Sequence, residues 1–172
     1  MTEKIKIIVV DKEDNIIDHK YRKSLNDDKD IYRVTALWVT NSKGEILLAQ
    51  RSFDKNNDPG KWGPAVAGTV DEGETYENNI YKEAEEELGI KDVQFKLGPK
   101  TSTLEKPGAK HLHFTQWFTV NIDEKLDYFK IQKEEVEQIK WFSKEEILKI
   151  NEEDPKFFLV GIKEKIKLFI NK

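Results

Sequence analysis

The stretch GTVDEGETYENNIYKEAEEELGI, Gly68–Ile90, decides the fold because it places a glycine-rich loop directly before a short helix rich in carboxylates. Thr75 can cap the start of that helix, since a threonine side chain accepts a hydrogen bond from a free N–H of the first turn. Gly89 can end the helix, since glycine adopts a left-handed backbone at little cost. The stretch therefore predicts a loop followed by a helix that ends at Gly89.

The last turns of this helix carry an excess of negative charge. Glu83, Glu86 and Glu87 are spaced three and four residues apart, so they share one face of the helix. Each like-charge pair at this spacing costs roughly 0.2–0.5 kcal/mol, and acids are also unfavourable at the negative end of the helix dipole. Lys82 is the local compensating charge. A bound hard cation would relieve the repulsion, because carboxylate oxygens are the ligands that Mg²⁺ prefers.

A string of glutamates is by itself more often a solvated helix face than a site. The surrounding residues reverse that balance, because their spacing resembles the signature box of the Nudix hydrolases. The matching positions are Gly68, Glu74, Lys82–Glu83, Glu86–Glu87 and Gly89, with Ala84 and Ile90 in the two apolar positions. The departure is Lys82, where the family has arginine. Lysine lacks the planar fork that contacts a carboxylate with two hydrogen bonds.

The resemblance implies a metal site on the helix. Glu83 and Glu87 are expected to hold Mg²⁺, with Mn²⁺ as a possible substitute, and Glu86 is either a third ligand or the base that activates water. The backbone carbonyl of Gly68 is a further ligand in many relatives. Lys82 is expected to orient a neighbouring catalytic glutamate by its charge.

Five residues outside the box extend the predicted site. Glu135 and its neighbour Glu134 form a second acidic pair, which is either an extra ligand and base or a solvated surface. Arg51 and Lys61 are candidates to bind a diphosphate, with surface charges as the alternative. Trp62 is a candidate to stack a nucleobase, although a tryptophan beside a Pro-Gly turn is more often part of the core.

The resemblance also implies an α/β fold, the Nudix α/β/α sandwich with a mixed central sheet and an N-terminal β-hairpin extension. Strands interspersed with three helices agree with a mixed sheet between helical layers. Ile80, Ala84 and Leu88 form the apolar stripe that docks the first helix. The predicted strands are Ile5–Val10, Ile31–Thr40, Glu45–Gln50, Val93–Leu97, Leu112–Val120 and Ile139–Phe142. Further helices are predicted over Lys144–Ile150, capped by Ser143 and Glu146, and from Asp154–Pro155 onward, with Phe158, Ile162 and Ile166 facing the core.

Composition excludes several classes of protein. The chain has 172 residues, a net charge of −4 and no cysteine, which rules out disulfides, thiolate metal sites and cysteine nucleophiles. Its basic residues do not cluster, so duplex nucleic acid is not an expected partner. No apolar run approaches the ~18 residues of a membrane span, and the polar N-terminus is unlike a signal peptide. We therefore expect a single cytoplasmic domain over residues 1–172, with a homodimer possible but not indicated by any feature.

Outside the box, several motifs resemble the isomerase-like branch of the family, which includes isopentenyl diphosphate isomerases. Those isomerases use a catalytic cysteine and metal-binding histidines. This chain has no cysteine and carries Thr69 where they have a histidine. His111 and His113 alternate along one predicted strand, a possible metal geometry, but a polar sheet face is the more common explanation.

Three functions remain in consideration. The leading one is Mg²⁺-dependent hydrolysis of a diphosphate linkage in a nucleoside diphosphate derivative or nucleotide, with a small-molecule diphosphate as the partner. The second is a non-catalytic nucleotide-binding module, which would not need to keep like charges clustered. The third, isopentenyl diphosphate isomerisation, lacks part of its chemical apparatus here.

Overall fold

One mixed sheet of nine strands forms the centre of the computed structural model, which describes residues 5–170. Its strands are β1 (Lys6–Val10), β2 (Ile16–Tyr21), β3 (Ile31–Thr40), β4 (Ile46–Arg51), β5 (Trp62–Pro64), β6 (Val66–Thr69), β7 (Lys96–Ser102), β8 (Leu112–Asn121) and β9 (Val136–Phe142). The α-helices are α1 (Tyr76–Leu88), α2 (Lys144–Glu153) and α3 (Ile162–Ile170). Short 3₁₀ turns lie at Arg22–Ser24 and Leu126–Tyr128.

Strand β3 organises the sheet. Its whole length pairs in parallel with β8, from Ile31 opposite Leu112 to Thr40 opposite Asn121. On its other edge it pairs antiparallel with β1, β6 and β4 in turn. Parallel and antiparallel pairs therefore coexist, and the predicted mixed sheet is confirmed.

The helices cover both faces of this sheet, because side chains alternate along each strand. Leu37 and Val39 of β3 pack with Ile80, Ala84 and Leu88 of α1 in one core cluster. The intervening Ala36 and Trp38 face the opposite side and pack with residues of α2 and α3, which are Ile147, Ile162 and Ile166. This is the expected α/β/α sandwich, and the predicted stripe of α1 is fully buried.

The predicted helix caps are also observed. The hydroxyl of Thr75 accepts a hydrogen bond from the N–H of Asn78 at 3.1 Å, and Gly89 ends α1 with φ of 65°. Ser143 and Glu146 form a reciprocal capping box at the start of α2. These caps involve residues close together in the chain, which explains why local sequence predicts them well.

Strands β1 and β2 form the N-terminal hairpin. β1 joins the hairpin to β3, and an isolated bridge from Ile7 to Asp71 joins it to the loop before α1. Ile8 and Val10 pack on Ile31 and Val70 in a separate apolar cluster. The hairpin therefore supports the loop on which the carboxylate helix begins.

Most predicted boundaries lie within three residues of the observed ones, but two elements differ more. The last helix begins at Ile162 rather than near Asp154–Pro155, because the preceding segment pairs with β5 instead. The N–H of Trp62 donates to the Phe157 carbonyl at 3.0 Å, and the N–H of Leu159 donates to the Trp62 carbonyl at 2.8 Å. Phe158 is buried as expected but lies in this extended segment.

The other difference concerns Val93–Leu97, where the observed strand β7 begins only at Lys96. The backbone turns at Asp92, which has φ of 54°, and the Phe95 N–H donates to the Tyr81 hydroxyl at 3.0 Å. Phe95 therefore anchors the loop to α1 rather than adding to the sheet.

No helix within residues 5–170 is long and apolar enough to cross a membrane. The exclusion of a signal peptide rested on the polar N-terminus, residues 1–4, which lies outside the described residues.

Candidate active site

The three glutamates on α1 differ in their exposure. Glu87 is buried, with 7% of its surface exposed, whereas the Glu83 side chain is 17% exposed and Glu86 is exposed to solvent. Burial, followed by the negative charges of Glu83 and Glu135, raises the pKa of Glu87 to about 8. Burial also raises the pKa of Glu83, and the charge of Glu86 adds to that effect, whereas Lys82 opposes it. This side of the helix therefore holds negative charge at a cost to the fold.

Gly68 lies directly against Glu83. A Cβ atom at Gly68 would lie 2.3 Å from Glu83 Cγ, so any larger residue would push the glutamate side chain aside. The first glycine of the loop is thus required by the close approach of β6 to the helix.

Asn79 is the central hydrogen-bonding residue of the site, and no pattern in the sequence pointed to it. Its fully buried amide donates to the Thr69 carbonyl at 3.0 Å and to Glu74 Oε2 at 2.8 Å, and the same nitrogen lies 3.4 Å from Glu83 Oε1. Its carbonyl accepts a hydrogen bond from the hydroxyl of Thr35 on β3. Asn79 thereby fixes Glu74 and Glu83 relative to the sheet.

Lys82 joins the loop to the helix. Its Nζ lies 2.7 Å from Glu74 Oε1, 3.1 Å from Asp71 Oδ2 and 3.5 Å from Glu83 Oε1. Burial alone would lower the pKa of Lys82, but the hydrogen bonds to Glu74 and Asp71 raise it overall. The lysine therefore stays charged and contacts three carboxylates, one of which belongs to the helix face.

A distant loop brings a further carboxylate to Glu87. The backbone N–H of Gln132 donates to the Glu87 carbonyl at 2.9 Å, which anchors the loop before β9 to the end of α1. Glu135 follows in this loop and acts on Glu87 through its charge. Its own carboxylate forms an ion pair with Lys55, from the loop between β4 and β5. Glu134 is exposed to solvent.

These residues fit a hard divalent cation in the chemistry of their donors. All are carboxylate oxygens, and burial together with the charges of Glu83 and Glu135 raises the pKa of Glu87, so its ionised form lacks a compensating charge that a cation would supply. Within residues 5–170 no three acidic or imidazole side chains already lie in ligating positions. Glu83 Oε1 lies near Asn79 and Lys82 instead. Glu83 would therefore change rotamer in order to share a cation with Glu87.

The raised pKa of Glu87 predicts a pH-dependent loss of stability. The carboxyl has a pKa near 4.5 in the unfolded chain and about 8 in the folded one. Between these two pH values the folded state therefore holds a proton that the unfolded chain has released. The free energy of unfolding should therefore fall as pH rises through this window and level off above it. Glu87→Gln should remove this decline. Without metal, the free energy of unfolding of the variant relative to that of the wild type should therefore rise by more than about 1 kcal/mol between about pH 5 and pH 9.

Urea unfolding of both proteins in EDTA at several pH values measures this difference. Burial lowers the pKa of His113 to about 4, but that contribution is common to both proteins and cancels. A constant difference between variant and wild type across the range would contradict the prediction.

The three residues predicted to bind substrate form their observed contacts within one loop or in the core. Arg51 Nε donates to the Asn57 carbonyl at 2.9 Å, and Lys61 Nζ donates to Asp58 at 2.6 Å, so both cations contact their own loop. Trp62 is only 5% exposed and packs parallel to Phe157 with 6.1 Å between ring centroids. Its indole therefore has no open face for a nucleobase, and we assign Trp62 to the core.

The two alternating histidines do not share a site in this structure. His111 Nδ1 lies 3.1 Å from Asp27 Oδ1, whereas His113 is largely buried and packs on Tyr32 at 5.6 Å between ring centroids. These contacts agree with the structural explanation for the pair.

Comparison with known proteins adds independent findings. A family model of the NUDIX domain matches residues 30–159. A Nudix hydrolase of Yersinia pestis is 30% identical over 146 residues, which cover 81% of this chain and 73% of that protein. A prenyl-diphosphate phosphatase of Methanosarcina mazei is 29% identical over 161 residues, which cover 93% of this chain and 92% of that protein.

A solved structure supports the same fold. The crystal structure of DR0079 from Deinococcus radiodurans superposes with a TM-score of 0.81 at 20% identity, and the match covers 95% of this chain and 99% of that one. At this level of identity the similarity concerns the fold alone.

Proposed function

The chain belongs to the Nudix hydrolases, enzymes that act on phosphoanhydride bonds, and we propose that it cleaves a diphosphate linkage in a nucleoside diphosphate derivative with Mg²⁺ as its cofactor. The observation that carries this proposal is the partly buried carboxylate pair Glu83 and Glu87, approached by Glu135 from another loop. A fold gains nothing in stability from such a cluster unless a cation binds there.

Each residue has a proposed role. Glu83, Glu87 and Glu135, with the Gly68 carbonyl, would hold the metal, which when bound neutralises phosphate oxygens and makes water more acidic. Glu86 accepts the proton of the attacking water. Its exposure on the rim of the helix face leaves room for water beside it. Mn²⁺ would bind the same oxygen ligands as a substitute.

Arg51 and Lys61 remain proposed phosphate ligands, since both lie at the ends of the loop between β4 and β5. Each would exchange a contact within its loop for a phosphate oxygen. The contact of a guanidinium to an anionic phosphate is stronger than the contact of Arg51 to the uncharged carbonyl of Asn57, which favours that exchange. Trp62 has no part in this site because it is buried in the core.

A prenyl diphosphate is the second candidate substrate. The relative from Methanosarcina mazei is a prenyl-diphosphate phosphatase, and its similarity extends over 93% of this chain. Both candidates present a diphosphate to the same carboxylates and differ only in the group that the surrounding loops would recognise.

A single screen distinguishes these possibilities. The protein is incubated with Mg²⁺ and with ADP-ribose, a dinucleoside polyphosphate, farnesyl diphosphate or isopentenyl diphosphate, and released phosphate and nucleoside monophosphate are measured. We expect turnover of a nucleotide substrate that stops in EDTA. Release only from prenyl diphosphates would support the second candidate. Binding without turnover would support a nucleotide-binding module, and rearranged isopentenyl diphosphate would support the isomerase.

Lys82 provides a test of how the catalytic glutamates are positioned. Because its ammonium contacts Glu74, Asp71 and Glu83 by charge, Lys82→Arg should keep the activity or raise it modestly. Lys82→Ala should lower kcat about 10–100-fold, the usual effect of removing a residue that orients a metal ligand. Steady-state kinetics at saturating Mg²⁺ measure both variants.

The matched control is Lys91→Ala. Lys91 follows the end of α1 and forms an exposed ion pair at 2.6 Å with Glu85, which lies on the same helix as Lys82. Equal turnover of the Lys82 and Lys91 alanine variants would show that Lys82 contributes only surface charge. Thermal melting of all three variants separates a loss of activity from a loss of folded protein.

A further inference from the structure

Lys55 lies where two loops meet beside the carboxylate helix. Its ammonium forms an ion pair with Glu135, and the two side chains are 28% and 36% exposed. The loops are joined at their bases, because the Ser52 N–H donates to the Glu135 carbonyl at 3.0 Å and the Lys55 N–H donates to the Ser52 carbonyl at 3.2 Å. The backbone therefore holds Lys55 near the acids even when its side chain moves.

Lys55 differs in its contacts from the other two cations that border this loop. Arg51 contacts the Asn57 carbonyl, and Lys61 contacts Asp58, so both bind within the loop itself. The ammonium of Lys55 instead pairs with Glu135 from the other loop. Its charge lowers the pKa of Glu87, which the charges of Glu83 and Glu135 raise. It thus compensates part of the negative charge that the proposed metal would neutralise.

We propose that Lys55 is the internal counter-ion of the carboxylate site, that a divalent cation displaces it from Glu135, and that the released ammonium then binds a phosphate oxygen of the substrate. This inference rests on the proposed function, because it needs the metal and the diphosphate. It adds a residue that the signature box does not contain.

The physical properties of the pair suit such an exchange. A partly exposed lysine–carboxylate pair contributes little to stability, so breaking it costs little. A divalent cation carries twice the charge of an ammonium group and prefers the same carboxylate oxygens. The lysine side chain is flexible and carries a compact charge, which lets it move from a carboxylate to a phosphate oxygen without movement of the loop.

Metal affinity without substrate is the first test. Isothermal titration with Mn²⁺ and with Mg²⁺ compares wild type, Lys55→Met and Lys55→Arg. We expect Lys55→Met to bind metal about 3–10-fold more tightly, because a competing charge near the site is gone, and Lys55→Arg to resemble the wild type. Lys91→Met, which breaks the exposed pair with Glu85, is the control and should leave Kd unchanged. Unchanged or weaker binding by Lys55→Met would overturn the proposal.

The second test detects the released ammonium directly. Wild-type protein is acetylated with acetic anhydride in the presence and absence of Mg²⁺, and labelling of each lysine is measured by mass spectrometry. Labelling of Lys55 should rise with Mg²⁺, while labelling of Lys91 stays constant. Protection of Lys55 by Mg²⁺, or no change in its labelling, would show that the ion pair persists and would overturn the exchange.

Kinetics test the phosphate contact. At saturating Mg²⁺, Lys55→Met should raise KM about 10-fold while kcat changes less, since a charged contact to the substrate is lost without change to the reacting groups. An unchanged KM would overturn this step.

The outcomes also separate this inference from the proposed function. A wild-type protein that binds no divalent cation would overturn both. Normal metal binding and turnover with equal Kd values in wild type and Lys55→Met would overturn the role of Lys55 alone.

Discussion

Glu87→Gln is expected to lower kcat/KM by at least about 10³-fold, because losing a metal ligand removes several kcal/mol of transition-state charge stabilisation. The substitution changes the shape of the side chain very little. Glutamine also keeps an oxygen that can accept the hydrogen bond from the backbone of Ala67. We therefore expect the variant to fold normally and to lose its function through charge alone.

The stability of this variant makes the prediction specific. A buried carboxylate with a pKa of about 8 is costly when ionised, so without metal Glu87→Gln should be at least as stable as the wild type at neutral pH and above. In contrast, Mg²⁺ or Mn²⁺ should raise the Tm of the wild type by binding its folded state, and this rise should be smaller or absent in Glu87→Gln. A purely structural residue would show the opposite combination, with lower stability and a retained response to metal.

Glu85→Gln is the matched control for this experiment. Glu85 lies two residues earlier on the same helix, its side chain is 55% exposed, and its contact is an ion pair with Lys91. The Glu85→Gln variant should keep both its turnover and the rise in Tm on binding of Mg²⁺ or Mn²⁺. Full activity of the wild type in EDTA, or of Glu87→Gln in Mg²⁺, would contradict the metal-dependent mechanism.

The parts of this protein that were predictable from sequence depend on short-range patterns. The caps Thr75 and Gly89 act within one helical turn, and the apolar stripe of α1 follows from helical periodicity. The alternation along β3 likewise shows which residues face each helical layer. The mixed sheet and the two helical layers could therefore be anticipated, with the resemblance to the Nudix box supplying the topology.

The parts that were missed depend on residues far apart in the chain. Asn79 acquires its role only because Thr35 and Thr69 lie on strands beneath it, and nothing in its own neighbourhood marks it. Lys55 and Glu135 meet because the strands that follow their loops, β5 and β9, both pair with β4. No local rule contains these contacts.

The substrate-binding predictions illustrate a different limit. Arg51, Lys61 and Trp62 were candidates because of their residue types and their positions, Arg51 after a buried strand and the other two near the loop of the box. The structure shows Trp62 between Phe157 and Phe142, where the segment before α3 pairs with β5 and closes over the indole. That segment was expected to be helical, so the error about the last helix and the interpretation of Trp62 have one cause.

The second large effect is expected at Glu86, which we propose as the general base. Glu86→Gln should lower the single-turnover rate by roughly 10²–10⁴-fold, the usual size of a general acid–base contribution. Its position supports this role because α1 fixes it one turn from Glu83, and its side chain is exposed where water can approach. Glu135 is a weaker candidate, since its carboxylate acts on the buried Glu87 and is itself proposed to bind the metal.

Single-turnover hydrolysis by three glutamine variants at saturating Mg²⁺ distinguishes these residues. Glu135→Gln should weaken Mg²⁺ binding but change the rate at saturating Mg²⁺ only a few-fold, because Glu83 and Glu87 still hold the metal. Glu134→Gln, which alters an exposed neighbour, should leave the rate unchanged. The Kd of Glu86→Gln for Mn²⁺ should equal that of the wild type if Glu86 is the base, and should rise if it is a third ligand. A collapse of the rate confined to Glu135→Gln would place the base on the loop, because loops can close over substrate and bring a distant carboxylate to the water. The hydrolytic reaction would then stand, with its proton acceptor supplied by the loop before β9 rather than by the helix.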